Sequence, residues 1–98
     1  MPTDDTIQKR VGTLKDLISH LNKIILDKDA KDFLLRPATS SLHDVECYLL
    51  PQALNANTPE YGDSWFRAVE FQLQSAENQL QHVQEMVSKY GANLRVVG

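Results

Sequence analysis

One row of residues near the C-terminus constrains this chain more than any other feature. Phe66, Val69, Leu73, Ala76, Leu80, Val83, Val87 and Tyr90 step 3-4-3-4-3-4-3 along the sequence. A strand turns successive side chains to opposite faces, so it would scatter these residues. A helix of 3.6 residues per turn gathers them on one side, as an unbroken heptad seam of about seven turns. Gly91 follows directly and is expected to end the helix with a left-handed cap. The helix spans roughly 40 Å at 1.5 Å per residue. Something must lie along an apolar edge of that length.

Two start signals precede the seam, in "TPEYGDSWF". Thr58-Pro59-Glu60 offers a cap, a proline at the first helical position, and an acid at the positive end of the dipole. Asp63 is a second cap four residues on. With the start at Pro59, Gly62 continues the seam backwards as a small residue. A Gly-Asp-Ser run at the head of a helix resembles the phosphopantetheine attachment site of carrier proteins. In those proteins one residue separates the glycine from the aspartate, and a further helix follows a shorter one. Neither holds for Gly62-Asp63-Ser64, so the stretch reads as a helix start.

The rest of the chain also shows helical spacing. From about Asp4 to Leu26, Ile7, Val11, Leu14, Ile18, Leu21 and Ile25 form a stripe that Leu17 and Ile24 widen. A stripe this wide calls for more than one neighbour. Thr3 or Asp4 can cap it. A break and a short helix follow, about Asp29 to Leu35, with Asp27 or Asp29 as cap and Pro37 as stop. The third segment, "TSSLHDVECYLLPQALNAN", starts at Ser40 or Ser41. Leu42, Val45, Leu49 and Ala53 form one of its faces. Cys47, Leu50 and Leu54 make a second side apolar, so it is expected to be the most enclosed element. Pro51 cannot donate to the carbonyl of Cys47, so a kink or break is expected there. The expected fold is all-α. It is an antiparallel bundle of three main helices plus one short helix, ending in the long heptad helix. Residues 1–98 make one domain, with a short tail over 92–98 that folds back or frays.

Composition narrows the function classes. A chain with 42% hydrophobic and 23% charged residues is an ordinary globular one, and its net charge of −3 is mild. Its ten Lys and Arg are scattered, whereas nucleic-acid binders gather them into a stripe that displaces counterions. Nucleic acid is therefore not an expected partner. With one cysteine, no disulfide forms within the chain. No apolar run approaches the ~18 residues of a membrane span. A cytoplasmic location is the default expectation.

Candidate chemistry is thin. His43 and Glu46 are three apart, as are His82 and Glu85, a spacing that can share a metal on a helix. His82 and Glu85 lie off the seam and should face solvent, so neither a metal nor a cofactor is expected. An exposed histidine on a helical chain of this length resembles phosphotransfer domains. There a leucine usually follows two residues later, then lysine and glycine. "SHLNK", "LHDVE" and "QHVQE" do not match. Arg36 and His43, in "RPATSSLH", resemble in spacing the Arg-x(4–6)-His signature of helical ribonucleases (the HEPN group). That resemblance implies histidine as general acid or base and arginine stabilising phosphate charge. Here Pro37 follows the arginine, and the pair is expected to straddle a loop. Cys47 has no histidine expected beside it on one helical face, and its neighbours suggest burial, which makes a thiol inert.

No catalytic set emerges, and the chain is read as non-enzymatic. The expected function is a helical interaction or oligomerisation module. The partner is another protein or a second copy of the chain. A small hydrolase or nuclease using Arg36 and His43 is the alternative, with a phosphotransfer bundle behind it. Tyr61, Trp65 and Phe71 are the candidate contact residues. Phe71 lies opposite the seam, and Tyr61 and Trp65 share a flank at the helix start. Either the middle segments cover the seam or a second copy does.

Overall fold

The computed structural model describes residues 4–56 and 58–91, and they are all-α, with no strand among them. Helix α1 is Asp4–Ile24, α2 is Lys28–Asp44, α3 is Leu50–Leu54 and α4 is Pro59–Tyr90. A π-helical turn, Val45–Leu49, joins α2 to α3 without a break. The molecule measures 49 × 24 × 16 Å. Its long axis is the length of α4, about 48 Å at 1.5 Å per residue.

The last helix begins at the earlier signal. Thr58 is extended, at φ −129° and ψ 152°, and its Oγ1 accepts from the Tyr61 N–H at 3.2 Å. Pro59 follows, where its missing N–H costs nothing. Gly62 does extend the seam: it is buried, with Ala53 and Ala56 of the preceding segment beside it. At the other end Gly91 takes φ 75° and ψ −165°. The positive φ was expected, but the ψ departs from a left-handed cap and enters a region that glycine nearly alone adopts.

The seam is covered within the chain. Val69, Leu73, Ala76, Leu80 and Val83 are all buried, in one core with Ile7, Val11 and Leu21 of α1 and with Leu34, Ala38 and Leu42 of α2. The late part of α4 meets the early part of α2, where Gln79 Nε2 donates to the Leu34 carbonyl at 3.2 Å. Its early part meets α3. The two ends are more open, with Phe66 and Val87 half-buried and Tyr90 exposed.

Three expectations are corrected. Asp27 does cap the second helix, accepting from the Ala30 N–H at 2.9 Å, but the helix does not stop at Pro37. It runs through to Asp44. The restriction that proline places on its predecessor is local, and burial of Ala38, Leu42 and Val45 outweighs it. Pro37 is exposed, so the Phe33 carbonyl it leaves unpaired lies toward water. At Pro51 the helix neither kinks nor breaks in the expected way. It widens beforehand: the Leu50 N–H reaches back to the Val45 carbonyl, and Pro51 opens α3. The extra residue resets the apolar phase, so burial passes from Val45 to Leu50 in a step of five. This shift carries Cys47 and Leu54 to the surface, so the third segment is not the most enclosed.

In the first helix, Gly12 is exposed in mid-helix, and a Cβ there would meet nothing within 4 Å. Glycine costs about 0.5–1 kcal/mol against alanine at such a site. Gly12→Ala is expected to raise the melting temperature by a few degrees, read by circular dichroism.

Candidate functional site

Tyr61 and Trp65 are one turn apart near the start of α4, and Tyr48 projects from the π turn beside them. The Tyr48 ring meets the indole edge-on at 5.8 Å and 81°; the Tyr61 ring does so at 5.9 Å and 83°. Two tyrosines thus stand as walls against one half-buried tryptophan. They remain open to solvent, at 56% and 54% exposure. Edge-to-face pairs of this kind add about 0.5–1.5 kcal/mol each beyond area burial. The indole Nε1 is buried and finds no acceptor among the described residues. Phe71 is 69% exposed and is not joined to this cluster by any ring contact. The pairing of Tyr61 with Trp65 follows from their spacing. Tyr48 was hidden by the π turn, which no local sequence signal announces.

A second feature lies between α1 and α2. Arg36 and His43 do not straddle a loop: both sit on α2, seven residues and about two turns apart. They line one groove of about 620 Å³ with Asn22, Lys31, Thr39 and Asp44. His43 also has a neighbour that was not expected. Cys47 is exposed, and its Sγ lies 3.7 Å from His43 Nδ1, because the helix continues unbroken between them. His20, His82 and Glu85 are exposed as well. Among the described residues, no three His, Cys, Asp or Glu side chains gather as metal ligands.

The electrostatic link between first and last helices had no signal in local spacing. Arg10 Nη1 donates to Glu70 Oε2 at 2.5 Å, and Nη2 donates to Glu77 Oε1 at 2.6 Å. Donation to the Glu77 carboxylate, then to that of Glu70, pushes the guanidinium further above its ordinary range, against a partial loss of hydration. Arginine is charged at all working pH values in any case, so the link is constant from its side. Glu70 and Glu77 are seven apart, so one arginine can hold both. Lys15 pairs with Glu46 at 2.7 Å in the same way, tying α1 to the π turn.

No helix among the described residues is long and apolar enough to cross a membrane. Comparison with protein-family models, with curated proteins and with solved structures finds no match to this chain.

Proposed function

We propose that this chain is a non-enzymatic helical interaction module, and that Tyr48, Tyr61 and Trp65 are the centre of its contact surface. The observation that carries the reading is the pair of edge-on tyrosines, each more than half exposed, held against a half-buried tryptophan. Aromatic side chains are enriched at the centres of protein interfaces, and tyrosine adds contact area at little entropic cost. The seam supports the reading less than its length suggests, because the chain buries it internally. The partner is another protein or a second copy. A reducing compartment such as the cytoplasm suits the exposed Cys47 thiol. The test is affinity capture with mass measurement, wild type against Tyr61→Asp. A partner held by the wild type and released by the variant supports the surface. Identical capture by both refutes it.

A second reading, a small nuclease, is favoured by one observation: Arg36 and His43 share a helix and a groove. The histidine would move a proton, and the arginine would steady phosphate charge. Cleavage of single-stranded RNA that is lost in His43→Ala supports this reading. Activity that survives the substitution removes it.

A further inference from the structure

The cluster of Tyr48, Tyr61 and Trp65 presents ring faces at right angles. The two tyrosine rings stand at 81° and 83° to the indole, with centroids 5.8 and 5.9 Å away. Two faces that meet at such an angle enclose a corner. A point in that corner lies within about 6 Å of both centroids, the range of a cation–ring contact. Both faces attract a cation, because the quadrupole of an aromatic ring is negative above its plane. Among the described residues, no Lys or Arg occupies either corner. The cation–ring contact that they do contain is at the other end of α4, where Lys89 Nζ lies 5.3 Å from the Tyr90 centroid.

The stretch of chain that carries these rings is acidic. No Lys or Arg stands between Arg36 and Arg67, whereas Asp44, Glu46, Glu60 and Asp63 do. Lys15 takes Glu46. Asp44, four residues before Tyr48, and Glu60, directly before Tyr61, are exposed and hold no cation among the described residues. Residues that close on a helix are separated by at most about 6 Å of axial rise. That is inside the Debye length of about 10 Å at 0.1 M salt, so both carboxylates add to the pull of the ring faces.

This chemistry selects the occupant. An acidic partner is repelled by Asp44 and Glu60, and a neutral one leaves both unanswered. A second copy would set the same carboxylates against each other. A lysine ammonium is strongly hydrated and loses that water against a ring. A guanidinium is flat and more weakly hydrated. It lies on a ring face while the N–H groups at its edge stay free to meet a carboxylate. We propose that Tyr48, Tyr61 and Trp65 form a receptor for an arginine side chain carried by a basic segment of a partner protein, with Asp44 and Glu60 as its anionic rim. The proposal rests on the interaction reading above and names the chemistry of the partner.

Trp65 is the only tryptophan of the chain, so its fluorescence reads the site directly. The probe is a short, blocked glycine peptide with two arginines, titrated into the full chain up to about 5 mM, a range that detects weak binding. A saturable change in emission is expected. The same peptide with citrulline, which keeps the shape of arginine and lacks its charge, is expected to bind at least about tenfold more weakly. Tyr48→Leu and Tyr61→Leu are each expected to raise the dissociation constant about threefold. Glu60→Gln is expected to do the same and to flatten the dependence on salt. These side chains are exposed, so unchanged circular dichroism is expected. Glu85→Gln, near the far end of α4, is expected to bind like wild type. No emission change up to about 5 mM overturns the proposal. So does a citrulline peptide that binds as tightly, or wild-type affinity in both tyrosine variants. A lysine peptide as tight as the arginine one overturns the choice of guanidinium. A protein captured through Tyr61 while the arginine peptide fails to bind refutes the cation receptor and leaves the interaction reading standing. Failure of both removes both.

Discussion

Leu80→Asp is expected to abolish the cooperative thermal transition seen by circular dichroism. Leu80 is fully buried at the middle of the seam, among core residues of three helices. The substitution puts a carboxylate where neither water nor a cation can reach it. Burying an unpaired charge costs several kcal/mol even after relaxation, and the lost apolar packing adds to that. Domains of this size have about 5–15 kcal/mol in total. The folded state should therefore be lost at room temperature. Leu80→Ala separates the two contributions: it should cost about 2–5 kcal/mol and leave a lower but cooperative transition. An unchanged melting temperature for Leu80→Asp would show that residue 80 does not face the core.

The second large effect is expected at Trp65. Trp65→Ala removes a half-buried indole and both edge-on tyrosine contacts at once. Partial burial scales down the about 3–5 kcal/mol of a fully buried aromatic, and the ring pairs restore part of it. A loss of about 2–3 kcal/mol in urea denaturation is expected, against less than about 1 kcal/mol for the exposed Tyr61→Ala. Trp65→Phe distinguishes packing from hydrogen bonding. Its ring still meets both tyrosines, and it deletes the buried Nε1–H that has no acceptor among the described residues. Relief of that unpaired donor offsets much of the lost area, so Trp65→Phe should stay near wild type. Equal losses in the alanine and phenylalanine variants would mean that the indole N–H has a partner after all.

What could be read from the sequence was what local physics decides. The seam, the Thr58-Pro59 start, the Asp27 cap and the helix end before Gly91 are encoded within a few residues of where they act. Gly62 was readable too, because it falls in phase with the seam. Pro37 misled because its effect on the backbone is local, while burial of Ala38 and Leu42 against a distant helix is not. The π turn has no residue code. Its trace is the step of five from Val45 to Leu50, which becomes visible only once both are known to be buried. Tyr48 was missed for that reason, whereas the contact between His43 and Cys47 has the ordinary helical spacing of four and needed only that the helix run unbroken between them. Arg10 reaches partners 60 and 67 residues away, beyond any spacing rule. The candidate site was half legible: Tyr61 and Trp65 came from spacing, whereas Phe71 stands apart from the ring cluster.

The sorting of charge on α4 has a kinetic consequence. Charged surfaces draw partners together from about a Debye length away, and salt shortens that reach. The flank of α4 that carries Ala68, Gln72, Ser75 and Gln79 holds no charge and exerts no such pull of its own. Encounters on that flank are steered only by the field of the whole chain, of net charge −3, and it is that field which added salt screens. The ion pairs of Arg10, on the opposite side, weaken as salt rises. A salt titration therefore distinguishes the two sides of one helix: the tie between first and last helices loosens, while the uncharged flank has no ion pair to lose.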